Sequence, residues 1–126
     1  MRVRLERGRG APARARRALS RFMEQSELAA IDGATLALLV SELVSNAVLH
    51  SDAPCASEIL LCAQVLAGRA VRVEVIDAGS GFDPAPRDPA RTIGGYGLFL
   101  VSRQAARWGV DGEGGTRVWF ELAAGG

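Results

Sequence analysis

Three short segments hold residue types that can do chemistry. In Glu42-Leu43-Val44-Ser45-Asn46 the four-residue spacing puts a carboxylate and an amide on one helix face, a turn apart. A carboxylate within reach of a hydroxyl or a water can act as a general base. A neutral amide oxygen can complete the octahedron of a Mg²⁺ otherwise held by phosphates and waters. His50 continues that face. A solvated helix face fits the same spacing. In Asp77-Ala78-Gly79-Ser80-Gly81 an Asp follows a strand pattern. There it can accept a hydrogen bond from an exocyclic amine, and the two glycines let backbone pass close to a ligand. A plain strand-ending turn is the other reading. Gly94-Gly95-Tyr96-Gly97 stands directly before Leu98-Phe99-Leu100-Val101. Glycines that open a helix expose free amides at its positive end and so suit an anion. The segment is neither a Walker loop, since Gly-Lys-Ser/Thr is absent, nor a dinucleotide fingerprint.

The elements that must position these residues are readable from periodicity. Val3-Arg4-Leu5 suits a short edge strand, and Gly8 to Pro12 a turn into a helix from about Pro12 to Glu24, with proline in its permissive first turn. Leu36, Leu39, Val40, Leu43, Val44, Ala47 and Val48 recur at helical spacing up to about Leu49, and the helix ends before Pro54. Strands are predicted over Glu58 to Leu66 and Ala70 to Ile76, joined at Gly68-Arg69 as a hairpin; the second alternates cleanly and keeps one face dry. The Gly- and Pro-rich stretch from Asp77 to Tyr96 is too long for a tight connection, so a functional or mobile segment is expected there. A helix from about Gly97 to Trp108 and a last strand from Thr116 to Leu122 complete the order. Helices gathered on one antiparallel or mixed sheet make an α+β two-layer sandwich.

The 126 residues, 48% apolar and 23% charged, supply one buried core, so a single domain over 1–126 is expected. No window approaches the roughly 18 uninterrupted apolar residues of a spanning helix, and Met1 to Glu6 lacks the apolar stretch of a signal peptide. A cytoplasmic location without membrane insertion is the expectation. Cys55 and Cys62, with one His in the chain, supply neither a zinc site nor a disulfide framework and are read as ordinary reduced thiols. The net charge of +1 hides an asymmetry: residues 1–21 hold eight Arg and one Glu, the remainder seven Arg and thirteen acids, or +7 against −6. Without interleaved aromatics this basic stretch is not read as a nucleic-acid arm. Arg14, Arg16, Arg17 and Arg21 instead surround Leu19 and Phe22 on a helix, as a solvated face or a surface for an acidic protein. Every basic residue is Arg, so no Lys is present to hold a phosphate.

Taken in order, Ser41-Glu42-Leu43-Val44-Ser45-Asn46-Ala47, Asp77-x-Gly79-x-Gly81 and Gly95-x-Gly97 resemble the N, G1 and G2 boxes of the gyrase, chaperone, histidine-kinase and mismatch-repair ATPase superfamily. Gly114-Gly115-Thr116 resembles its closing motif. The resemblance runs from about Leu36 to Leu122 and implies the histidine-kinase-like ATPase (Bergerat) sandwich. Within the superfamily, the phrasing Glu-Leu-Val-Ser-Asn-Ala-Val and Gly-Tyr-Gly-Leu-Phe-Leu-Val is similar to that of bacterial anti-sigma-factor serine kinases. A sensor histidine kinase fits less well, since no helix with a phosphoacceptor His precedes the boxes and His50 is misplaced for that role.

The resemblance implies ATP and Mg²⁺ as ligands, with Asn46 on the metal, Glu42 as base and Asp77 reading the adenine amine. Gly79 and Gly81 would line the base pocket, Thr116 would help hold adenine, and Gly95 and Gly97, with Gly94, Tyr96 and Leu98 beside them, would approach the phosphates. His50 would either pack at the helix end or touch the phosphate side. It further implies a sigma factor and an antagonist protein as partners, no direct contact with nucleic acid, and a homodimer as an assembly open to the chain. Two departures from the kinase pattern stand out. Thr92 and Ile93 occupy the place ahead of the second glycine box where kinases often carry a basic residue, leaving Arg91 as the nearest candidate, and the lid between Gly81 and Gly95 is short. Both bear on the grip on the γ-phosphate, so the alternative to a serine kinase is a non-catalytic, ATP-binding interaction module.

Overall fold

Valine at every second position of Ala70–Asp77 makes this strand, β3, the spine of the molecule. Val71, Val73 and Val75 are buried on one face, Asp77 closes the same face, and Arg72, Glu74 and Ile76 lie half-buried on the other. A computed structural model of the chain describes residues 1–26, 31–50, 58–67, 69–77, 101–112 and 116–123, the side chains of residues 49 and 50 excepted. On one side of β3 runs β2 (Glu58–Leu66), and beyond it the edge strand β1 (Arg2–Glu6). On its other side runs β5 (Thr116–Ala123), and beyond that β4 (Arg107–Asp111). All four pairings are antiparallel, and the register sets Val73 opposite Ala63 and Phe120, and Asp77 opposite Thr116.

Two helices cover the apolar face. In α1 (Ala11–Gln25), Pro at the first turn needs no amide partner, and Ala11, Ala15 and Leu19 form a buried stripe four residues apart. Arg14, Arg16, Arg17 and Arg21 are exposed, as the pattern predicts, and Arg16 donates to Ser41 Oγ at 2.9 Å. The second helix, α2 (Gly33–His50), opens at Asp32, whose Oδ1 accepts from the amides of Ala34 (3.0 Å) and Thr35 (3.3 Å) while its Oδ2 accepts from Thr35 Oγ1 (2.9 Å). This cap satisfies amides that have no partner inside the helix. Leu36, Leu39, Val40, Leu43, Val44 and Ala47 then pack with Ile59, Leu61, Val71, Val73 and Phe120 into one core. Helices on one face of an antiparallel sheet make the α+β two-layer arrangement.

The C-terminal third departs from the sequence expectation. A single helix to about Trp108 is predicted, yet among the described residues only 101–104 are helical there. The Ala105 amide closes the last turn on Val101 O, and the next amide, of Ala106, already bonds Glu121 O across the sheet. Two features favour a strand. Trp108 and Val110 alternate toward the core, and Gly109, opposite Trp119, leaves room for the indole; a Cβ at Gly109 would stand 2.8 Å from that ring. On this outer sheet face the Arg72 guanidinium lies 4.0 Å from the Trp119 ring centre and donates to Glu121 at 3.0 Å. Cys62 is a free, half-buried thiol whose pKa is raised by burial; Cys55 lies outside the described residues.

Candidate functional site

Among the described residues, the buried polar or charged residues are Asn46, Asp77 and Thr116, each no more than 7% exposed. These are three of the residues that the sequence singles out, and each reaches its place for a local reason. Asn46 lies on the stripe of α2 that also carries Leu39 and Leu43, so it is drawn inward with them to 4% exposure. Asp77 is next on the inward face after Val71, Val73 and Val75, at the strand's end where the apolar run stops. Thr116 begins β5 directly opposite, so the two side chains share a face as cross-strand neighbours.

Burying polar groups is costly unless they are paired. Asp77 is paired: Arg7, in the turn between β1 and α1, donates through Nη2 to its Oδ1 and through Nη1 to the carbonyl of Ala47. Both side chains of this ion pair are 7% exposed. Arg7 thereby ties the end of β3 to α2 at the residue after Asn46. The Nδ2 atom of Asn46, in contrast, is buried with no hydrogen-bond partner among the described residues. A buried amide whose Nδ2 donor is unmatched, a half-buried carboxylate one turn before it in Glu42, and a buried carboxylate at a strand end offer a donor to an oxygen such as a phosphate's, an amide oxygen to a cation and carboxylates to a proton or an amine. The amide oxygen of Asn46 is a hard donor of the kind Mg²⁺ takes, Glu42 is a carboxylate that can accept a proton, and Asp77 offers an acceptor to a base amine.

The backbone of His50 ends α2, and its side chain is not described. Gly79, Gly81, Arg91, Gly94, Gly95, Tyr96, Gly97 and Leu98 lie outside the described residues. The sequence reading missed Arg7. It sits in the arginine-rich beginning of the chain, and only its place before Gly8, in a turn instead of on the helix, sets it apart from the arginines of α1. A cavity of about 640 Å³ opens elsewhere, between α1 and the first turn of α2, walled by Leu19, Met23, Ile31 and Leu36 with Arg16 and Arg17. Its lining holds none of Arg7, Glu42, Asn46, Asp77 or Thr116, so the candidate site rests on its polar groups and not on cavity size. No helix of the described residues is long and apolar enough to cross a membrane.

Comparison with known proteins agrees with the fold. The family described as the histidine kinase-like ATPase domain matches residues 9–122. No curated protein matches the chain in sequence. Among solved structures, the RsbU and RsbW domains of Rv1364c from Mycobacterium tuberculosis superpose with a TM-score of 0.75 at 22% identity, over 98% of this chain and 32% of that one. The histidine kinase domain of the Erythrobacter litoralis EL346 blue-light activated histidine kinase gives 0.56 at 29% identity, over 73% of this chain and 44% of that one. A second structure of the Erythrobacter kinase gives 0.56 at 30%, over 73% and 30%. The chain therefore spans between about a third and under half of the length of these structures. With the family matched over nearly the whole chain, and with the antiparallel sheet and covering helices in place, this chain belongs to the histidine kinase-like ATPase domain family.

Proposed function

We propose that this ATPase-family chain binds Mg-ATP and transfers its γ-phosphoryl group to a serine of a protein partner, within an anti-sigma regulatory switch. The observation that carries the reading is the coincidence of burial and motif: among the described residues, the buried polar or charged residues are the Asn, Asp and Thr of the boxes. Burying a polar group costs free energy until it is matched, and the Nδ2 of Asn46 has no partner among the described residues. The phrasing of the boxes, which resembles that of anti-sigma-factor kinases, supports the choice of serine and of a sigma-factor pathway.

In this reading Asp77 accepts a hydrogen bond from the adenine amine, with Thr116 beside it, and Asn46 holds Mg²⁺ through its amide oxygen. When bound, Mg²⁺ neutralises charge on the phosphates. Glu42 stands one turn from Asn46 and takes the proton of the serine hydroxyl as that oxygen forms its bond to the γ-phosphorus and ADP leaves. The chain's own contribution is thus position and a base.

The test is to purify the chain with its native partners and incubate them with labelled ATP. Label should appear on one partner, survive acid as phosphoserine does and phosphohistidine does not, and fall by roughly 10²-fold with Glu42→Gln. Binding of Mg-ATP without transfer to any partner, in the wild type as in Glu42→Gln, would instead identify a non-catalytic interaction module.

A further inference from the structure

Arg7 is the polar group of the site that the box pattern does not contain. It reaches Asp77 from 70 residues away in sequence, and both partners are 7% exposed. Its position has two consequences. A guanidinium is a flat, rigid fork, so donors that meet the Ala47 carbonyl and Asp77 Oδ1 together fix the plane of the group and, through it, the carboxylate. The carboxylate is engaged by Arg7 through Oδ1, so its rotation at the strand end is restrained. The anchor on the far side is the backbone of α2, one residue past Asn46, so the carboxylate is oriented relative to the helix proposed to hold the phosphates.

A carboxylate oxygen accepts from an amine and repels a carbonyl, and the discrimination is greatest when the group is held and cannot swing aside. Resting on the reading of Asp77 as the acceptor for the base, we propose that Arg7 is a specificity-determining positioning residue: it holds Asp77 so that the site takes a six-amino purine and rejects a six-oxo purine. Arg7 itself does not touch the reacting atoms. A purely structural tie would hold the β1–α1 turn to α2 and leave base preference alone.

The experiment compares Mg-ATP with Mg-ITP, which differ at the six-position, by calorimetry on the full chain, well below the melting temperature of each variant. Wild type should prefer ATP by roughly ten-fold or more, the range opened by one buried polar mismatch. Arg7→Lys keeps the charge but loses the fork, so ATP affinity should fall more than ITP affinity and the preference should shrink to within about three-fold. Unchanged preference in Arg7→Lys, with only a lower melting temperature, would overturn the inference and leave the site assignment standing. No preference in wild type would remove the reading of Asp77 and the inference with it. Should Arg7→Lys fail to fold, the unaltered chain decides: the Arg7 guanidinium NMR signals should move on adding ADP and much less on adding IDP, and equal shifts would count against the proposal.

Discussion

Each polar side chain in the site is matched, or left unmatched, in a way that separates stability from binding. Asp77 both neutralises Arg7, whose side chain is 7% exposed, and, in the proposed function, faces the base. Removing its charge therefore does two things. Asp77→Asn should abolish most of the preference for ATP, and it should also strand a guanidinium whose partner is gone. Breaking one side of a buried pair typically costs about 3–5 kcal/mol. Urea denaturation without nucleotide should show this loss, and calorimetry the loss of binding; an Asp77→Asn chain as stable as wild type would mean the pair carries no such weight. In the sequence Asn46 stood out for its four-residue spacing from Glu42 and Asp77 for its place after an alternating strand, while Thr116 was marked only by resemblance to a closing motif. Arg7 was not legible. Its partner is distant along the chain, and a guanidinium in an arginine-rich stretch carries no mark of which one turns inward.

At the scale of elements, local rules governed where regular structure begins and ends. The valine alternation of β3 and the helical spacing from Leu36 to Val48 were sufficient, because each buries one face and the period admits one choice. β4 escaped because Arg107-Trp108-Gly109-Val110-Asp111 is short and its glycine reads as a helix end; only the indole of Trp119, supplied by another strand, gives that glycine its role. The start of α2 carries a pH dependence. Hydrogen bonds from the Thr35 hydroxyl and from the amides of Thr35 and Ala34 hold the Asp32 carboxyl below its ordinary value. The folded chain thus takes up that proton less readily than the unfolded chain. The cap's stabilisation is full above the ordinary carboxylate value of about 4 and is lost as pH falls through the lower folded value. Asp32→Ala should melt below wild type at pH 7, and the gap should close as the pH is lowered through that range. A gap that persists unchanged in acid would show that the ionised carboxylate is not what caps the helix.

For the molecule as a whole, the site lies across the seam between its two layers: Asn46 and Glu42 come from the helical layer, Asp77 and Thr116 from the sheet, and Arg7 spans the two. A ligand seated there touches both layers and binds the folded chain alone, so binding must appear as global stability. By mass action, nucleotide at a hundred times its dissociation constant adds about 2.7 kcal/mol. Thermal melts should therefore rise by several degrees with Mg-ATP, and the pattern among variants should separate the roles. Glu42→Gln removes a base but no binding group and should keep nearly the full rise. Asn46→Ala should lose the part of the rise that depends on Mg²⁺ while keeping what nucleotide gives in EDTA. If Asn46→Ala and wild type rise equally with Mg-ATP, Asn46 holds no metal. If Glu42→Gln loses the rise, Glu42 belongs to the binding set, and the base must be sought on another residue.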